Sequence, residues 1–197
     1  MVVFGITGGS GSGKTSVSKM LEKQGVHIID TDVIAHEIVE PNSECLNELV
    51  DYFGDSILND DKTLNRKKLA SIAFSDKQKT VALSNITHKY IKAEVVKDIN
   101  TTDAELVGVD GAVIIGSNVE PLCEFIVSVI ADKQSRITRI KTRDNITDEQ
   151  AIQRINAQND DEFYKENSMY IIYNNGDIAQ LESDVVGLFN KIKGNSF

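Results

Sequence analysis

The chain has 197 residues, 41% of them hydrophobic and 26% charged, which is one globular domain with enough apolar material for a real core. Its 21 Lys and Arg against 30 Asp and Glu leave a net charge of −9; an acidic surface argues against nucleic acid as a partner, while a few cations in a cleft still suffice for a small anionic substrate. Cys45 and Cys123 stand without a C-x-x-C or His/Cys cluster, which argues against a zinc site and a disulfide framework and points to two buried thiols in a reducing compartment.

Met1 to Ile6 is apolar but short and has no basic leader, and no later apolar run is long enough to span a bilayer, so the expectation is a cytoplasmic protein with no membrane partner. Val2 to Ile6 reads as a buried strand. A glycine-rich loop follows, then a helix from about Lys14 with Val17, Met20 and Leu21 on one face and Gly25 as its stop. Val26 to Ile29 is a second strand, ending at Asp30-Thr31-Asp32. Strand, loop, helix, strand is the start of a parallel α/β sheet.

From Thr31 to Thr102 the pattern is helical. Ser43 caps a segment with Leu46, Leu49, Val50 and Phe53 on one side, ended by Gly54; Leu69, Ile72 and Ala73 mark another helix; Ser75 and Gln78 form a capping box for the next. This stretch, 36–103, is expected to be a helical insertion at the ligand-binding end of the sheet. Leu106 to Asp110 and Phe125 to Ala131 return to strand. A helix runs from Lys133 to Arg143, and Thr147 with Gln150 caps a helix carrying Ala151, Ile152 and Ile155. Met169 to Tyr173 is a last strand. Asn174 to Asp177 is a turn, and the final helix is expected to bury Ile178, Leu181, Val185, Leu188, Phe189 and Ile192.

Gly8-Gly9-Ser10-Gly11-Ser12-Gly13-Lys14-Thr15 matches G-x-x-x-x-G-K-[ST] in full. The glycines let backbone N–H groups turn inward onto phosphate oxygens, and the helix that starts at Lys14 adds its positive dipole end. Lys14 is placed for the β- and γ-phosphates and the Thr15 hydroxyl for Mg²⁺, with Ser16 completing the ATP-binding run. A GTPase would need an Asp-x-x-Gly switch and an Asn-Lys-x-Asp base reader. Asp110 is followed directly by Gly111, and Asn190-Lys191-Ile192-Lys193 lacks the aspartate. Asp30 and Asp32 fall at the carboxyl end of the second strand, where ligands bind in such sheets, so either serves to orient or deprotonate a hydroxyl, or else to cap a helix. Arg136, Arg139 and Arg143 share one helix face, read equally as a solvated face or as lid arginines for a transferring phosphoryl group.

These residues together resemble the dephospho-CoA kinase family. Gly5-Ile6-Thr7-Gly8-Gly9-Ser10-Gly11-Ser12-Gly13-Lys14-Thr15 is similar to its G-L-T-G-G-I-G-S-G-K-S, and Ile28-Ile29-Asp30-Thr31-Asp32 with Val39-Glu40-Pro41 to its V-I-D-A-D and V-E-P. Leu64-Asn65-Arg66, Thr87-His88, Arg143-Asp144, Arg154-Ile155 with Ala157-Gln158, and Asn174-Asn175-Gly176 follow its L-D-R, L-H-P, R-D, R-I-x-x-Q and N-x-G. The resemblance implies a P-loop NTPase fold over 1–197, with a five-stranded parallel sheet, helices on both faces, the 36–103 region as substrate-binding insertion and 144–167 as lid.

It also implies phosphorylation of the ribose 3′-hydroxyl of dephospho-CoA from ATP and Mg²⁺. Asp32 would be base or orienter, and Lys14 and Arg143 would neutralise the transferring charge. Asn175 and Gly176 would lie at the ATP site, Arg66 and His88 would contact substrate, and Asp110 would contact substrate or Mg²⁺. The family's D-x-P-L-L-F-E is here Asp110 to Gly116 without its proline and glutamate, Lys89 replaces the proline after histidine, and Asp160-Asp161-Glu162 replaces basic residues expected of the lid. Those departures motivate two alternatives: a degenerate nucleotide-binding regulator, or a nucleoside or nucleotide kinase of the same build.

Overall fold

A computed structural model describes residues 1–194. Five strands, β1 (Val2–Thr7), β2 (His27–Asp30), β3 (Leu106–Asp110), β4 (Phe125–Ile130) and β5 (Tyr170–Tyr173), form one parallel sheet in the order β2-β3-β1-β4-β5. In β1 the register sets Gly5 opposite Val109 and Ile126, and a Cβ on Gly5 would come within 2.5 Å of the Ile126 side chain. β1 is therefore the central strand, and both faces of the sheet must be covered, which explains why every residue of β3 and β4 is buried, Ser128 and Asp110 included.

The chain divides into two compact units. The first, residues 1–29 and 101–197, holds the sheet with α1 (Lys14–Lys23), α6 (Lys133–Asp144), α7 (Asp148–Asn156), α8 (Asp161–Glu166) and α9 (Ile178–Gly194). Its main core joins Phe4, Ile6, Val17, Leu21, Val127 and Val129 to Leu181, Val185, Leu188 and Ile192, so α1 and α9 close on the same sheet. Leu21 is fully buried, and truncating such a side chain costs about 2–5 kcal/mol. Ile178, expected in this core, is 62% exposed, because α9 begins with it before its apolar stripe turns inward. A second small core packs α7 on α6 through Ile137, Ile140, Ala151 and Ile155.

The second unit, residues 30–100, contains α2 (Thr31–Glu37), α3 (Glu44–Phe53), α4 (Arg66–Ala73) and nearly all of α5 (Lys77–Thr101). Ser43 caps α3 by accepting from Leu46 N–H at 3.2 Å. The cap of α5 differs from the expected Ser75–Gln78 box: Asp76 accepts from Gln78 N–H at 2.7 Å, while the Ser75 hydroxyl donates back to Ile72 O. A carboxylate one residue closer to the helix takes the capping role. Lys89, which stands where the resembled pattern has proline, ties α5 to α3: its ammonium and the Tyr90 hydroxyl both bond Glu48, at 2.6 and 2.7 Å. The Lys89 bond first, then Tyr90, holds the Glu48 carboxyl below its ordinary range. Of the two thiols, Cys45 is buried and Cys123 only half-buried, which corrects the expectation of two interior cysteines.

Candidate functional site

The loop between β1 and α1 is shaped by residues that no side chain could replace. Gly13 precedes α1 at φ 96°, and a Cβ there would lie 2.0 Å from Asn174 Nδ2; a Cβ on Gly9 would lie 2.4 Å from Arg136 Nη2. The loop's carbonyls face outward onto cations and amides. Arg136 Nε donates to Ser10 O at 2.9 Å. Arg139 Nη1 donates to Gly11 O and Ser12 O, both at 3.2 Å, and Asn174 Nδ2 donates to Ser12 O at 2.8 Å. Arg139 Nη2 in turn donates to Asn174 O at 2.9 Å. At the start of α1 the N–H groups of Lys14 and Thr15 have no i−4 acceptor within the helix, while Ser16 N–H donates to Gly13 O at 2.9 Å; such a helix end attracts anions.

Lys14 is mostly buried and forms an ion pair with Asp110, the last residue of β3, whose carboxylate is 4% exposed. Lys14 is thus held beside the loop by a buried carboxylate. Thr15 and Ser16 are exposed at the start of α1. Asn175 accepts from Asp132 N–H at 2.8 Å, which joins the turn after β5 to the cap of α6; Gly176 follows in that turn.

Spacing alone left the three arginines of α6 undivided, the resemblance singled out Arg143, and the structure separates all three. Arg136 is buried and Arg139 half-buried, both committed to the loop. Arg143 is exposed at the end of α6, with Nε and Nη2 on the Asp144 carboxylate at 2.8 and 2.9 Å. That fork raises the arginine's pKa further and holds Asp144 below the usual carboxylate range. Arg154 also pairs with Asp144. The acidic run, which replaces the basic residues expected of the lid, has structural partners: Asp160 caps α8 through Phe163 N–H, and Asp161 faces Arg136 at 3.7 Å. Asn174, Arg139 and Gln158 are loop contacts that the sequence reading did not assign, although Asn174 and Gln158 lay inside its quoted motifs.

In the helical unit the structure resolves the Asp-Thr-Asp alternative. Asp30 Oδ1 accepts from Asp32 N–H at 2.8 Å and Val33 N–H at 3.2 Å, so Asp30 is the cap of α2, and the Asp32 side chain is exposed and relieved of that role. Arg66 and His88, far apart in sequence, come together in the wall of one cavity of about 300 Å³. The rest of the wall is mainly apolar, with Leu49, Leu69, Leu83 and Ile91. The His88 ring lies 3.4 Å from the Ser84 hydroxyl.

Among the described residues no cluster of three His, Cys, Asp or Glu side chains could hold a metal by itself, and no helix is long and apolar enough to cross a membrane.

Residues 2–180 match the family model described as dephospho-CoA kinase. The dephospho-CoA kinases of Lactobacillus johnsonii and Listeria monocytogenes are each 34% identical to the chain, over 96% and 98% of it and 97% and 98% of their own lengths. The solved dephospho-CoA kinase of Campylobacter jejuni superposes with a TM-score of 0.71 at 27% identity, covering 98% of both chains. A shikimate kinase from Bacteroides thetaiotaomicron, at 16% identity and a TM-score of 0.57 over 98% of each chain, shares the fold.

Proposed function

The chain belongs to the dephospho-CoA kinase family, and from that premise we propose how its own residues carry out the reaction. The activity is ATP-dependent phosphorylation of the ribose 3′-hydroxyl of dephospho-CoA, giving coenzyme A. The observation that carries this reading is the complete phosphate loop, with the carbonyls of Ser10, Gly11 and Ser12 held by Arg136, Arg139 and Asn174.

The N-terminal end of α1 and Lys14 bind the β- and γ-phosphates, Lys14 exchanging Asp110 for phosphate oxygen. Asn175 and Gly176, in the turn after β5, belong to the ATP site. Asp32 follows directly on the carboxyl end of β2 and, freed from capping, takes or orients the proton of the attacking hydroxyl. Arg143 leaves Asp144 to neutralise charge on the transferring group, where a contact made only in the transition state lowers the barrier. Segment 144–167 excludes water from the transfer. The apolar cavity with Arg66 and His88 holds the acceptor: aliphatic walls suit a flexible apolar arm and the two basic tips suit its phosphates.

Mg²⁺ fits this donor set. The ion usually keeps waters and takes one or two protein oxygens with substrate phosphates, so the exposed Thr15 hydroxyl and the Asp110 carboxylate suffice without a cluster of protein ligands. When bound, it would neutralise β- and γ-phosphate charge. The same reading places the reaction in the cytoplasm.

ADP release measured with dephospho-CoA, adenosine and AMP in parallel tests the assignment. Turnover should depend on dephospho-CoA. Preference for adenosine or AMP would make it a nucleoside or nucleotide kinase, and ATP binding without turnover on any of the three would make it a regulator.

A further inference from the structure

Ser10 is held more tightly than a phosphate loop requires. Its N–H donates to Gln158 Oε1 at 2.8 Å, its hydroxyl accepts from Gln158 Nε2 at 3.2 Å, and its carbonyl accepts from Arg136 Nε at 2.9 Å. Arg136 Nη2 also donates to Gln158 Oε1 at 3.2 Å, so the two side chains brace each other on one residue. Arg136 is 5% exposed, and its far side faces Asp161 of α8. Gln158 lies in the linker between α7 and α8, 148 positions from Ser10 in the chain. The linker is thus fixed by its own side chain to the middle of the phosphate loop. A primary amide is suited to this place, since it accepts from an N–H and donates to a hydroxyl in one plane.

We propose that Gln158 and Arg136 are positioning residues that latch the α7–α8 linker to the phosphate loop, and that ATP affinity depends on the latch. Neither side chain needs to touch ATP. They set the conformation of residues 9–12, and so the direction of the loop N–H groups that do. Coupling of this kind is reciprocal: if the latch favours the ATP-binding loop, bound ATP must favour the latched linker. The inference rests on reading the loop as the ATP site.

Calorimetric titration of the full-length protein with Mg-ATP tests it, alongside limited proteolysis of segment 147–167. Gln158→Ala and Arg136→Lys should each weaken ATP binding roughly tenfold, the scale of one or two lost hydrogen bonds. Lysine keeps the charge but loses the fork that reaches Ser10 and Gln158 together. The kcat at saturating ATP should stay within about threefold, and the double variant should lose less than the product of the single effects, because both act through Ser10. Gln153→Ala, exposed on α7, should bind as wild type. ATP should slow cleavage in the wild type and much less in Gln158→Ala. Folded Gln158→Ala and Arg136→Lys that bind ATP like wild type would overturn the latch, as would fully independent effects. Should Gln158→Ala not fold, Arg136→Lys decides alone. A wild type that binds no ATP would instead overturn the loop assignment itself.

Discussion

Around residues 8–15 the chain uses backbone carbonyls, two arginines and two side-chain amides to fix one short loop. Around the cavity of the helical unit it places leucine, isoleucine and alanine side chains, with Arg66 and His88 as the charged or titratable members of the wall. Backbone N–H groups recognise any polyphosphate at fixed geometry, so the first region demands glycines and a lysine at set spacing. An apolar wall recognises a flexible arm through shape, and many residue combinations make the same shape. The first region should therefore fail abruptly when one side chain changes, and the second should degrade gradually.

The largest expected effect is at Lys14. Lys14→Ala should cut turnover on the order of 10⁴-fold, measured by ADP release, since its ammonium is the loop's own point charge for the β- and γ-phosphates. The same change strips Asp110 of its ion-pair partner while it stays buried, so the melting temperature should fall as well. Adding Asp110→Asn should recover the melting temperature and not the turnover, which separates the two losses. Asp32→Asn comes next, with a fall in kcat of about 10³-fold and little change in ATP affinity; full kcat would show that the carboxylate has no part in the proton transfer.

Arg143→Ala should lower kcat about 10²-fold with ATP affinity nearly kept, and normal turnover would leave the arginine as a partner of Asp144 alone. In the cavity, Ala70→Trp should raise KM for dephospho-CoA about tenfold without altering ATP affinity. A change in ATP affinity there would break the distinction between the two regions. The smallest effect concerns the thiols. Burial pushes Cys45 up to about 11 and Cys123 to about 12, so both stay protonated at pH 8. Alkylation of the native protein should run about 10²-fold slower than for an unperturbed thiol and reach the free rate only after denaturation.

The strands and most helices were legible because their signals are local. The β1 run, the Thr147–Gln150 box and the glycines of the loop act within a few residues. The cap of α5 was misplaced because Ser75 and Asp76 both suit that role, and the choice depends on which reaches the Gln78 N–H. At the site, sequence spacing put Arg136, Arg139 and Arg143 on one face but could not rank them. Their difference arises from distance to a loop more than 120 positions earlier in the chain. Gln158 and Asn174 were visible as motif members, yet their work is to hold backbone, and no pattern in one chain announces that. The departure at 160–162 likewise acquired meaning from a partner, Arg136, in another element.

The central claim is that phosphate passes from ATP to one particular hydroxyl of dephospho-CoA. Phosphorus NMR of the product formed by the wild-type protein reads that hydroxyl directly. A new monoester resonance at the ribose 3′ position, identical to that of coenzyme A and absent from the Lys14→Ala and Asp32→Asn reactions, is the result expected. A monoester at the 2′ position, free inorganic phosphate in place of product, or no new resonance at all would contradict the account.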